Sequence, residues 1–159
     1  MLRLRKFLRL TPLERRLFVQ VFLLLEFVKV GLWLLPFRTL RCLLSRVSKG
    51  PTKPRSTGRP SPEEIAWIVE VASRHSPRAK TCLTQALAAQ ILLTRHGYPA
   101  LVHLGVLRGK QEQFQAHAWV ESEGRIVIGG GRELERYAHL GILSKKDQLQ
   151  NRLYQRLEP

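Results

Sequence analysis

The chain has 159 residues, 44% of them hydrophobic, which is enough for one domain with a buried core and a helical extension. Its two cysteines, Cys42 and Cys82, lie far apart; they form neither a disulfide framework nor a metal knuckle, and the expected setting is reducing and cytoplasmic. A formal charge of +15, from 27 Lys plus Arg against 12 Asp plus Glu, attracts nucleic acid, anionic lipid or an acidic protein without choosing among them.

Arg3, Arg5, Lys6 and Arg9 stand among leucines at the start. Thr11-Pro12-Leu13-Glu14 then has the form of a capping box with proline at the first helical position. A long apolar helix is expected from Pro12 to about Leu35. Glu26 and Lys29 interrupt it and leave only short charge-free runs on either side, so it is not read as a transmembrane span. No small-residue cleavage site follows, so it is not read as a signal peptide either. Pro36 ends this helix. A second helix over 37–47 places Phe37, Leu40, Leu43, Leu44 and Val47 on one side, flanked by Arg38, Arg41 and Arg46. Residues 1–47 therefore read as a basic amphipathic extension. It is expected to pack on the downstream domain and present arginines to a partner complex, with peripheral membrane contact as the remaining alternative.

Residues 48–60 contain three prolines and two glycines and read as a linker. The domain proper is expected over 61–159. Ser61-Pro62-Glu63-Glu64 is a second capping box. The helix it starts carries Ile65, Ile68, Val69 and Ala72 at amphipathic spacing and stops before Ser76-Pro77. Thr81 caps the next helix, which begins with Cys82-Leu83-Thr84-Gln85 and runs through leucines and alanines to Gly97 and Pro99. The pattern then changes to period two. Ala100 to Leu107 is a β-prone run, Arg108 to Gln111 a turn, and Phe114 to Glu121 a strand carrying His117. Ser122-Glu123-Gly124-Arg125 turns into a third strand, Arg125 to Ile128, which pairs as an antiparallel hairpin and ends at Gly129-Gly130-Gly131. Those glycines lack the spacing and the following Lys-Ser/Thr pair of a phosphate loop. Ser144 can cap a short C-terminal helix. The fold class expected is α+β.

Two residues stand out chemically. Cys82 falls in a first helical turn, where unpaired N–H groups favour an anion. His117 lies on a following strand. Each alone has a plainer reading, as an inert core cysteine and a structural strand histidine. Together, helix then sheet and Cys before His, they follow the chain order of papain-like and transglutaminase-like enzymes, in which a histidine takes the thiol proton. Gln115, Trp119 and Glu121 share the strand face of His117. Trp119 would shield the site or fill a cavity, Gln85 would line it, and His103 on the neighbouring strand is a secondary candidate. His75, His96 and His139 fall near element ends and require no role. An acid to orient His117 is harder to find, because no Asp or Asn lies between Cys82 and the end of the third strand. Glu121, Glu133 and Glu135 are the candidates. Failing them, a backbone carbonyl or a water orients the imidazole and the pair is a dyad. No metal ligand set is visible. Nor is there a helix-turn-helix, zinc spacing or aromatic stacking ribbon, so nucleic acid is not an expected partner.

Several stretches taken in order resemble one known family. They are Cys82-Leu83-Thr84-Gln85-Ala86-Leu87, Gly97-Tyr98-Pro99-Ala100, Leu104-Gly105-Val106, His117-Ala118-Trp119-Val120-Glu121 and Gly124-Arg125-Ile126-Val127-Ile128-Gly129-Gly130. The start, with Pro12-Leu13-Glu14-Arg15-Arg16-Leu17 and Leu34-Leu35-Pro36-Phe37-Arg38, is also similar. The family is the leader-peptidase B-proteins of lasso-peptide biosynthesis, the microcin-processing proteins with a transglutaminase-like, papain-like fold. The resemblance implies a cysteine peptidase, without cofactor, that releases the leader from a precursor peptide. It implies a separate leader-recognition protein as partner, since the residues before 61 leave no room for a fused one, and an ATP-using cyclase of asparagine-synthetase type. The family's cysteine falls on Cys82 and its histidine on His117, while Gly129 stands near where related enzymes carry the acid. Acyl or glutamyl transfer on the same Cys-His pair, and a non-catalytic nucleic-acid or scaffold role, are the competing functions.

Overall fold

The computed structural model of the chain describes residues 12–48, 60–76, 81–108, 114–131 and 134–143. The Thr11 cap, the linker at 49–59, the turn at 109–113, Glu133 and the Ser144 helix lie outside the described residues.

Four helices precede a sheet: α1 Pro12–Leu34, α2 Phe37–Val47, α3 Pro62–His75 and α4 Cys82–Arg95. Pro36, which cannot continue α1, stands as the N-cap of α2. At α3 both halves of the capping box form: the Ser61 hydroxyl accepts from the Glu64 N–H at 3.1 Å, and the Glu64 carboxylate accepts from the Ser61 N–H at 2.7 Å. At α4 the Thr81 side chain accepts from the Thr84 N–H, which makes Cys82 the first residue of the helix. Gly97, in the left-handed region at φ +72°, turns the chain toward the sheet.

The sheet is antiparallel and contains β1 Leu101–Arg108, β2 Phe114–Ser122, β3 Arg125–Ile128 and β4 Ala138–Ile142, in the order β3-β2-β1-β4. The first three strands and the hairpin about Gly124 follow the period-two pattern. β4 does not announce itself in the sequence. Ala138-His139-Leu140-Gly141-Ile142 mixes glycine and histidine with apolar residues, and as an edge strand it relies on pairing with β1 rather than on its own propensity.

α3 and α4 cover one face of the sheet, and α1 and α2 pack against the helices. Val102, Ala118, Val120 and Ile128 meet Ile65, Val69, Ala72, Ala88, Ala89 and Leu93 in one core, and Val21 and Leu25 of α1 belong to the same cluster. A second cluster joins Val28 of α1, Leu40 and Leu44 of α2, and Leu87 and Ile91 of α4. Each fully buried Leu or Ile contributes about 1.5–3 kcal/mol relative to exposure. Removing the buried stripe of α1 would therefore open both clusters. Polar ties secure the same packing. The Ser76 hydroxyl donates to the Glu26 carboxylate, whose other oxygen lies 3.1 Å from Lys29 Nζ. Arg41 donates to the Leu143 carbonyl at 3.0 Å.

Candidate active site

β3 pairs with β2 only from Val120 to Ser122. Next to residues 114–119, the edge of β2 on that side carries no strand among the described residues. Both chemically prominent side chains lie along this stretch. The Cys82 thiol, half-buried at the start of α4, is 3.9 Å from the carbonyl oxygen of Ala116. The next residue is His117, half-buried, whose Nε2 is 2.8 Å from the Gly129 carbonyl oxygen. A carbonyl can only accept, so Nε2 carries the proton, and Nδ1 is the acceptor of the neutral ring. No hydrogen bond joins Cys82 to His117. Cys82 packs against the core that includes Ala118 and Val120, whereas strand alternation sends His117 to the face shared with Trp119 and Glu121. The two groups thus reach the same strand edge from its two faces.

The helical ladder leaves the N–H groups of Cys82 and Leu83 without an intrahelical acceptor. Those of Thr84 and Gln85 are taken by the Thr81 side chain and the Thr81 carbonyl. Two outward-pointing donors therefore sit beside the thiol. Gln85 is half-buried, three residues further along the helix.

Gly129 holds His117 through its main-chain carbonyl, in a conformation that glycine alone adopts here without strain. Its φ is +72°, and a Cβ there would stand 2.7 Å from the Ala118 carbonyl oxygen and 3.0 Å from the Trp119 Cβ. A carboxylate side chain at this position has no space in this backbone. The main-chain carbonyl occupies the place where the resemblance leads one to expect an acid.

The face of the sheet away from the helices is an aromatic and imidazole array. His117 stacks on Trp119 at a centroid distance of 6.1 Å and lies 5.3 Å from the Tyr137 ring. Trp119 is 8% exposed and stacks almost parallel on His103, at 5.5 Å and 6°. It therefore forms the wall beneath His117 rather than an open surface. Gly105, paired with His117 across β1 and β2, makes this possible: a Cβ there would lie 2.9 Å from the Trp119 ring and 3.0 Å from the Tyr137 Cβ.

Glu121 serves a different histidine. Its Oε2 lies 3.0 Å from His103 Nε2, an ion-pair distance off the hydrogen-bonding direction, since that nitrogen is buried without a hydrogen bond. The other nitrogen of His103 meets His139 Nε2 at 2.9 Å. Of the three acids expected near His117, Glu121 is thus engaged with His103, Glu135 is exposed on the short 3₁₀ turn Leu134–Arg136, and Glu133 lies outside the described residues. A backbone carbonyl was among the orienters the sequence left open, but backbone atoms leave no residue signature to name Gly129, and Tyr137 and His139 escape a sequence reading because β4 is not foreseen. Gly105, an isolated glycine inside a strand pattern, is the one signal of close packing that was readable.

No curated protein and no solved structure matches the chain. Residues 24–141 match the family model described as the transglutaminase-like superfamily, the family associated with lasso-peptide biosynthesis B-proteins. With its α+β fold and a cysteine-led helix laid against a histidine-bearing antiparallel sheet, the chain belongs to the transglutaminase-like superfamily.

Proposed function

We propose that this protein is the leader peptidase of a lasso-peptide pathway, cutting one peptide bond of a ribosomally made precursor through a thioester on Cys82. The observation that carries the reading is the Cys82 thiol standing 3.9 Å from the Ala116 carbonyl oxygen on β2, one residue before His117. Family membership supports it.

In this mechanism His117 Nδ1 removes the thiol proton as substrate binds. Catalytic hydrogen bonds absent from an unliganded site commonly close at that stage. The thiolate attacks the scissile carbonyl carbon, and the oxyanion that forms is received by the Cys82 and Leu83 N–H groups. The C–N bond breaks as the imidazolium returns its proton to the leaving amine, which is the new N-terminus of the core peptide. The leader remains as a thioester. His117 then takes a proton from water, the hydroxide attacks the thioester, and the thiol leaves with the proton from His117. The Gly129 carbonyl accepts the Nε2 proton throughout and keeps Nδ1 as the base.

The freed core amine is the group that an ATP-dependent cyclase of asparagine-synthetase type would join to a carboxyl. A separate leader-recognition protein would deliver the precursor. Both are partners in this reading, which sets the reaction in the cytoplasm, where the two free cysteines remain thiols. The test is mass spectrometry of a precursor incubated with the protein and its recognition partner. Cleavage at a single bond, lost in Cys82→Ala, is the expected result. An intact precursor with the wild-type protein and its partner refutes the reading.

A further inference from the structure

α1 has two apolar faces. The inner one, Val21, Leu25 and Val28, is at most 1% exposed. On the opposite side, Val19, Leu23, Phe27, Val30 and Leu34 follow one another at steps of three and four residues, so they form one continuous stripe. All are exposed, Leu23 at 61% and Leu34 at 62%, and Trp33 beside the end of the stripe is 83% exposed. Phe37, the first residue of α2, is exposed as well. A row of large apolar side chains of this length marks a contact surface rather than ordinary surface scatter.

The charge around the stripe indicates what covers it. Arg16, exposed, precedes Val19 by three residues on the same helix face, and Arg38, exposed, follows Phe37 at the other end. Residues 12–48 carry six Lys or Arg and two Glu. Of the two acids, Glu26 is held by Lys29 and Ser76. An apolar helix face with a terminal tryptophan and arginines at both ends suits the boundary between the headgroups and acyl chains of an anionic bilayer. Arg15–Leu34 is also long and apolar enough to cross a membrane. Spanning, however, would pull Val21, Leu25 and Val28 out of the two core clusters, whereas lying flat leaves them in place.

We propose that the protein docks on an anionic lipid surface through the outer stripe of α1, with the helix in the membrane plane and the domain behind it. The inference is independent of the peptidase reading. Its test uses the full chain and vesicles of phosphatidylcholine with or without phosphatidylglycerol. Sedimentation should show binding to the anionic vesicles about tenfold or more above the neutral ones. The Trp33 emission should shift to shorter wavelength, and Trp33→Phe should lose that shift. The double variant Leu23→Gln/Phe27→Gln alters only exposed positions. It should keep the wild-type circular dichroism and lose vesicle binding, while Arg16→Gln/Arg38→Gln should weaken binding to anionic vesicles alone. Bound protein should be released by alkaline carbonate. The proposal is overturned by equal or absent binding to both vesicle types, by binding that survives Leu23→Gln/Phe27→Gln, or by resistance to carbonate. A dimer that buries the stripe and leaves no vesicle binding also overturns it.

Discussion

His117 Nε2 is held at 2.8 Å by the main-chain carbonyl of Gly129, so among the described residues the imidazole is oriented by backbone and not by a carboxylate. The arrangement depends on the left-handed φ of Gly129 and on the absence of a side chain there. Gly129→Ala should therefore cost about 1–3 kcal/mol of stability, lower the melting temperature, and slow leader cleavage by more than the loss of fold accounts for. Gly129→Asp should be no better than the alanine variant, although it supplies the acid found in related enzymes. A Gly129→Asp protein with wild-type melting and faster cleavage would contradict the carbonyl's role.

Cys82→Ala should abolish cleavage with the fold intact, and Cys82→Ser should be nearly as inactive, because a hydroxyl is far harder to deprotonate than a thiol. His117→Ala should lose about 10²–10⁴-fold in rate, and the loss should shrink at alkaline pH, where a thiol ionises without a base. Cys42, exposed on α2, should be replaceable by alanine without effect. Single-turnover cleavage assays across a pH series separate these cases.

Glu121→Gln should leave the cleavage rate within a few-fold, since the carboxylate meets His103 and not His117. Its effect should fall on stability, by about 1 kcal/mol or less, because it removes the negative charge that stands 3.0 Å from the buried His103 Nε2. Parallel thermal melts and rate measurements decide the matter: a large loss of rate with unchanged melting would assign Glu121 to catalysis.

Gly105→Val should displace Trp119 and Tyr137, whose atoms stand within about 3 Å of any added Cβ. Overpacking of this kind costs about 1–3 kcal/mol. The loss should appear as a lower melting temperature, altered tryptophan emission and a slower reaction, since the wall beneath His117 moves. An unchanged emission spectrum would show that the ring has room this geometry denies it.

Much of the architecture was readable because it rests on local signals. Ser61 and Glu64 spell a capping box, Pro36 a break, Thr81 a cap, and the alternation through His117 a strand, and each stands where its chemistry requires. The candidate site was readable only by residue type. Cys82 and His117 declare themselves, but the Gly129 carbonyl is a main-chain atom, and Tyr137 arrives through a turn and an edge strand with weak intrinsic preference. Glu121, well placed by alternation, is drawn to His103 because the register sets Glu121 opposite Leu101, two residues from His103 and on the same face. Pairing across strands was the missing information.

Arg41 and the carbonyl that it reaches, Leu143, are 102 positions apart, and the inner face of α1 is covered in full only once α3 and α4 exist. On a ribosome this order matters. α1 emerges first with both faces bare, and at about 5–20 residues per second some seconds pass before residue 95 is made. During that interval the helix is an apolar segment on a nascent chain, of the kind that holding chaperones and membrane-targeting factors compete to bind. The ribosome-bound intermediate, more than the finished protein, is therefore the species at risk of aggregation, and slowing synthesis between Ser48 and Arg95 should reduce soluble yield without altering the stability of the protein that does fold.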